Sequence, residues 1–297
     1  MELTVLWIPF TLFAALMQAW RNAFQKQLSQ SLGATSVTLA RFILAGPLAA
    51  TYLWLLYRWQ PQQPLPDFSV PFAGYIVGAA LSQILATALM VRLFQLRNYA
   101  VGVGLAKSEA ILAAVLGVCF FGTSLTGLGW LGVVLGGLAV WLLSGLHRAA
   151  GAVSPMRLLL GIGSGLAFAL TSLWVREASL LLELSFPFSA AWVLLLVIGL
   201  QTLLLVTWLG MRDPASLLGL ARRPGLTGLV SLTSCLGSIG WFSAMSLESV
   251  ALVKTLGQIE VLFTLLISAW YFKDKLARHD HLGLGLIVIA AVCVMWA

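Results

Sequence analysis

Apolar runs of 18 or more residues recur along the whole chain, each closed by a short polar stretch. Runs of that length with so little charge read as helices that cross ~30 Å of hydrocarbon. Ten are expected, near residues 4–26, 36–57, 70–93, 99–121, 126–146, 156–177, 187–209, 225–245, 249–271 and 280–296. The runs are continuously apolar and do not alternate, which argues against membrane strands. Breakers fill the connectors, as in Gln60-Pro61-Gln62-Gln63-Pro64-Leu65-Pro66-Asp67 and Arg212-Asp213-Pro214. No connector exceeds about 15 residues, which leaves no room for an appended globular domain. The expected fold is an all-α polytopic membrane protein of ten transmembrane helices.

Composition agrees. The 297 residues are 60% hydrophobic and 9% charged, where a soluble domain carries about 25% charge. A net charge of +7 could signal nucleic acid in a soluble chain. Here the bases flank apolar runs, so they face lipid headgroups and no nucleic-acid partner is expected. The odd connectors hold twelve Lys and Arg, from Arg21 and Lys26 through Arg92, Arg97 and Arg148 to Lys273, Lys275 and Arg278; the even ones hold Arg58 and Arg176. The positive-inside rule then puts the odd connectors in the cytoplasm and both termini outside. Met1-Glu2 opens the chain without a basic n-region or an A-x-A site, so no removable signal peptide is expected. Cys119, Cys235 and Cys293 lie inside apolar runs, odd in number and without metal spacing, and read as small apolar fillers.

The chain also repeats itself. Sliding it by 151 residues lays spans three to five on spans eight to ten: Glu109 meets Glu260, Phe121 and Leu125 meet Phe272 and Leu276, and Leu131-Gly132 meets Leu282-Gly283. The halves are residues 1–147 and 155–297. Each has five spans, an odd number, so the second half enters the membrane upside down. Two inverted repeats with a site near midplane are a frequent design of secondary transporters.

An ionisable group inside lipid costs at least ~2.5–3.5 kcal/mol, so it persists where it faces a cavity or a partner. Glu109 and Glu260 are the only acids deep in spans, and the repeat places them face to face. They either bind a cationic group or exchange a proton; otherwise each is paired structurally with a nearby base. Lys107 and Lys254 are the intramembrane bases. Lys107 is two residues from Glu109, about 200° around a helix, so the two point to nearly opposite sides. Lys254 and Gln258, the repeat equivalent of Lys107, share a face. These three either hold anionic or polar substrate parts, or pair with the glutamates or snorkel. Arg41 sits early in span two and is expected chiefly as an anchor near the membrane surface, with substrate or Glu109 as the other partner. Gln18 and Gln83 are mid-span amides that line a cavity or bridge helices, because unpaired amides in hydrocarbon are costly. Trp20, Trp174 and Trp241 lie beside these polar positions and are expected either as cavity walls or as packing.

Gly74-x-x-x-Gly78, Gly132-x-x-x-Gly136 and Gly161-x-x-x-Gly165 read as close helix contacts. His147, His279 and His281 are in connectors, solvated and not metal ligands. There is no P-loop, H-E-x-x-H or G-x-S-x-G, so ATP-driven pumping and hydrolase chemistry are unsupported. No cofactor or metal is expected.

With two five-span halves, Arg41-Phe42 followed by Ala45, and Gly122-Thr123-Ser124-Leu125-Thr126 closing span four, the chain resembles the EamA-like branch of the drug/metabolite transporter superfamily. It departs from that pattern in having Thr123 where a Gly-Glu-x-Leu-like acid is usual, with Asp274 in Lys273-Asp274-Lys275-Leu276 of the second half. Ala110 and Val261 also stand where proline is frequent. The resemblance implies a ten-helix bundle whose spans one, three, four, six, eight and nine line a central cavity, in a family that moves amino acids, other metabolites, nucleotide sugars or drugs. It also implies cytoplasmic termini, opposite to the charge count. The expected function is a secondary active transporter in the inner (plasma) membrane. Its substrate would be a small amphipathic molecule, such as an amino acid or organic cation, exported by alternating access with proton coupling or exchange. A lipid or lipid-precursor flippase is the alternative, and an intramembrane lipid-processing enzyme a more distant one. Partners are the bilayer and a small-molecule substrate; a homodimer stays open, since one chain already holds both halves.

Overall fold

A computed structural model describes residues 5–95, 105–143, 155–271 and 280–297, with side chains of 268–281 outside the description. Arg97, Arg148, His147, His279 and the Lys273–Leu276 motif therefore lie outside the described residues, as does the start of the fourth expected span. The described chain is helical, without strands. In order it forms α1 (Trp7–Ser29), α2 (Ala34–Ala40), α3 (Ala45–Trp59), α4 (Val70–Gln95), α5 (Glu109–Phe120), α6 (Gly127–Leu143), α7 (Pro155–Leu181), α8 (Phe188–Arg212), α9 (Pro214–Ala221), α10 (Pro224–Leu247), α11 (Val250–Leu256), α12 (Glu260–Tyr271) and α13 (Asp280–Met295). Among the described residues, six segments are long and apolar enough to cross a bilayer: Ala34–Trp59, Val70–Gln95, Pro155–Leu181, Phe188–Arg212, Pro224–Leu247 and Val250–Ile267. Shorter apolar helices cover Glu109–Phe120, Gly127–Leu143 and Leu282–Met295.

Among the described residues, three of the expected spans are interrupted. Span two breaks between α2 and α3 at residues 41–44. Pro47 is the cause: it has no N–H for the carbonyl of Ile43 and its ring would clash there. Neighbouring helices bond the backbone around the break, as hydrocarbon favours. Ser231 of α10 donates to the Ala40 carbonyl (2.6 Å) and accepts from the Leu44 N–H (3.3 Å), while Thr202 of α8 donates to the Phe42 carbonyl (3.1 Å). Span four breaks at Lys107-Ser108, just before α5. Span nine breaks at the 3-10 turn Gly257–Ile259, just before α12. Under the 151-residue repeat these last two breaks fall on one another.

Packing follows the repeat as well. α4 lies on α7 and α1 on α10; α5 also meets α7, and α12 also meets α1; α6 lies on α13. Exchanging the halves converts the first pair of each set into the second and returns the last to itself. Each half thus contributes its first span, α1 or α7, to the other half's core. Glycines make the closest of these contacts. A Cβ on Gly240 would come within 2.8 Å of the Phe10 carbonyl oxygen, and one on Gly132 within 2.5 Å of Val294. Gly74 faces open space, so of that glycine pair only Gly78, against Trp174, is a close contact.

Two residues leave the charge count. Arg21 is buried inside α1, 1% exposed, and is no connector residue. Arg176 lies in α7 and donates Nη1 to the carbonyls of Met245 (2.8 Å) and Glu248, closing the C-terminal end of α10.

Candidate functional site

Both buried glutamates occupy the first turn of a helix that follows a break: Glu109 opens α5 and Glu260 opens α12. A helix N-terminus favours negative charge, so each break gives its carboxylate a suitable seat inside the bilayer. Each break also supplies a lysine on the N-terminal side: Lys107 lies in the first break, and Lys254 on the last turn of α11 before the second.

The charges pair crosswise between the halves. Lys107 of the first half is paired with Oε2 of Glu260 in the second. Lys254 of the second half stands 2.7 Å from Oε1 of Glu109 in the first. All four side chains are nearly dry, with Glu260 only 1% exposed. α1 completes the Glu260 shell. Gln18 donates Nε2 to Oε2 (2.5 Å) and Asn22 donates Nδ2 to Oε1 (2.7 Å). The Asn22 Oδ1 in turn accepts from Arg21 Nε (3.3 Å) and Nη2 (3.0 Å), so a buried guanidinium supports the carboxylate at second hand. Glu109 receives the Ser172 hydroxyl (3.4 Å) from α7. Trp241 ties the groups together: its Nε1–H donates to Gln18 Oε1 (2.9 Å), and the Lys254 ammonium lies 4.2 Å from its ring centroid, an attractive position over the π face. Gly257 makes room for that indole, since a Cβ there would be 2.3 Å from Trp241 Cη2.

Two small adjoining cavities separate these groups. The first is lined by the four paired residues with Gln18, Trp241, Gly257 and Gln258, and admits a water-sized sphere over about 10 Å³, room for roughly one water. The second, about 30 Å³ by the same measure, shares Gln18, Glu109, Trp241 and Lys254 and extends to Arg41, Gln83, Phe168, Thr171, Ser172, Ser238, Phe242 and Met245. This is an occluded geometry. The walls come from spans one, three, four, six, eight and nine, with span two adding Arg41.

Several expected placements change. Lys107 and Glu109 do not point apart: the wheel assumed a continuous helix, and the break turns both into one cavity. Arg41 is no surface anchor. It is 2% exposed, because the Pro47 break bends it inward from the end of α2. Trp174 packs α7 on Gly78 of α4 and Trp20 stacks on Phe24 (5.7 Å between centroids) while walling a separate groove with Leu16, Phe263, Leu266 and Ile267; neither lines the charged cavities. Gln83 does, with its Oε1 accepting from Gln201 Nε2 at 2.7 Å. Gln258 lines the first cavity, yet its amide lies against Gly136, where a Cβ would be 2.1 Å from Oε1, and it has no hydrogen-bond partner among the described residues. Asn22, Arg21 and Ser172 were absent from the expected set. Asn22 was legible: it stands four residues after Gln18 on one helix face, and both reach Glu260.

The family model of EamA-like transporters matches residues 5–145 and again 156–296. The chain belongs to the EamA-like transporter family. As an EamA-like protein it is a multi-pass membrane transporter of small molecules and not an enzyme. No curated protein matches its sequence. A solved structure described only as the crystal structure of a protein superposes with a TM-score of 0.68 at 15% identity, covering 98% of this chain and 97% of its own. That likeness concerns the fold alone.

Proposed function

We propose that this EamA-like protein is a secondary active transporter with ten membrane crossings in the inner membrane, exporting a small amphipathic metabolite by alternating access. The crossed pairs carry this reading. Lys107–Glu260 and Lys254–Glu109 join the two halves through the middle of the bundle, and one half rocks against the other only when they yield. A substrate with its own charges, or a proton arriving on a carboxylate, replaces a lysine–glutamate contact and lets the cavity open. Energy comes from a proton gradient or from exchange, since no nucleotide-binding motif is present.

In proteoliposomes, a metabolite mixture is offered with and without an imposed pH step. The wild-type protein takes up its substrate in response to the step; Glu109→Gln and Glu260→Gln each abolish that response. Undiminished uptake in both variants removes the carboxylates from the mechanism.

A flippase reading rests on one observation. The groove of Leu16, Trp20, Phe263, Leu266 and Ile267 runs between α1 and α12, the two helices that also carry Glu260 and its amide partners. An acyl chain fits such a groove while a headgroup reaches the carboxylate. Translocation of a fluorescent lipid across liposomes, blocked by Glu260→Gln, distinguishes it from metabolite transport.

A further inference from the structure

We infer that Arg41 is the docking point for an anionic group, a carboxylate or a phosphate, of the transported molecule. The inference rests on the transporter reading above and narrows its substrate class. Arg41 is buried to 2% exposure, yet its hydrogen-bond partners are neutral: Nε–H donates to the Ser234 hydroxyl (3.0 Å) and Nη1 to that of Thr87 (2.8 Å). The rings of Phe42 and Phe168 lie 5.2 and 6.0 Å from its guanidinium carbon. Among the described residues no carboxylate is within ion-pair distance of it. Arg21 repels it and Glu109 attracts it across the second cavity, but that carboxylate already holds Lys254 at 2.7 Å. A guanidinium has five N–H donors in a planar fork, and two hydroxyls leave most of that fork unbonded and no carboxylate in contact with its charge. A buried charge without a counter-charge is strongly unfavourable, so a purely structural Arg41 is a poor use of the position.

The cavity charges tell the same story. Arg41, Lys107 and Lys254 face the two cavities together with Glu109 and Glu260, three positive groups against two negative. Buried Arg21, behind Asn22, adds to the positive side; an added negative charge reduces the excess and a bare organic cation would worsen it. The Arg fork matches carboxylate and phosphate oxygens two at a time. Phe168, Trp241, Phe242 and Met245 offer the same space an apolar wall. The structure therefore favours an amphipathic anion or a zwitterion over a simple cation, with its acidic group on Arg41 and any ammonium toward Glu109 or Glu260.

The test is a thermal-shift titration of the detergent-purified full chain with four probes: leucine, hexanoate, phenyl phosphate and hexylamine. The wild type is stabilised by at least one of the first three and not by hexylamine; which probe acts separates the carboxylate from the phosphate source. Arg41→Gln raises the half-maximal probe concentration about tenfold or more, the loss of one charge-assisted contact, and Arg41→Lys retains part of the response. The double variant Thr87→Val/Ser234→Ala guards against loss of folding in Arg41→Gln. It keeps the guanidinium and removes its structural bonds, so the probe response persists even where the melting temperature falls. A wild type answering to hexylamine alone, to none of the anionic probes, or identically in Arg41→Gln overturns the inference. Hexylamine stabilisation that Glu260→Gln abolishes would leave the transporter reading intact while removing the anion site.

Discussion

Glu260→Gln is expected to lower the stability of the detergent-purified protein by about 3–5 kcal/mol, the usual cost of stripping one partner from a buried ion pair. The reason is local. Glu260 is 1% exposed, holds Lys107, and accepts from both Gln18 and Asn22. An amide in its place cannot balance Lys107, and its NH2 faces donors where the carboxylate oxygen had faced them. Adding Lys107→Met to Glu260→Gln removes the stranded cation, so the double variant recovers most of the loss. Denaturant unfolding of the single and double variants measures this coupling. A loss in the double variant equal to the sum of the losses in Glu260→Gln and in Lys107→Met alone would mean that the pair contributes nothing across the interface between halves.

Removing all four charges has the larger functional effect. The quadruple variant Lys107→Met/Glu109→Gln/Lys254→Met/Glu260→Gln folds with stability within about 2 kcal/mol of the wild type or above it, because desolvating two ion pairs offsets much of their attraction. Its transport falls to the level of empty liposomes. Stability without transport would show that the charges are kept for the work cycle rather than for folding. A quadruple variant that still transports, or one that cannot be purified folded while the double variant can, contradicts that division.

Much of this site was legible because hydrocarbon makes charge conspicuous. Glu109 and Glu260 stand out in runs that otherwise carry almost no acid, and their common place in the repeat tied them together. Family membership was legible for the same reason: span lengths and the repeat survive where short motifs have drifted, as Thr123 and Ala110 show. What could not be read was the consequence of helix breaks. Pro47 turns Arg41 inward, and the break at Lys107-Ser108 overrides a wheel that set Lys107 opposite Glu109. Arg21 was misplaced because a charge near the end of an apolar run looks like a connector residue; α1 instead continues to Ser29 and holds it inside. Trp20 and Trp174 were near polar residues in sequence, but a side chain's neighbours depend on which helix it meets: Trp20 meets Phe263 and Leu266 of α12, and Trp174 meets Gly78 of α4.

The measurement closest to the centre of this account is the labelling rate of a thiol placed in the occluded space. Ser238 is buried and lines the second cavity. With Cys119, Cys235 and Cys293 replaced, Ser238→Cys supplies the only thiol, and a membrane-impermeant maleimide applied to sealed vesicles reports its access to water. The crossed pairs are expected to keep it slow to react, and Glu260→Gln to accelerate labelling about tenfold or more as the halves separate. A rate unchanged or slowed by that substitution would mean that the lysine–glutamate pairs do not hold the two halves closed.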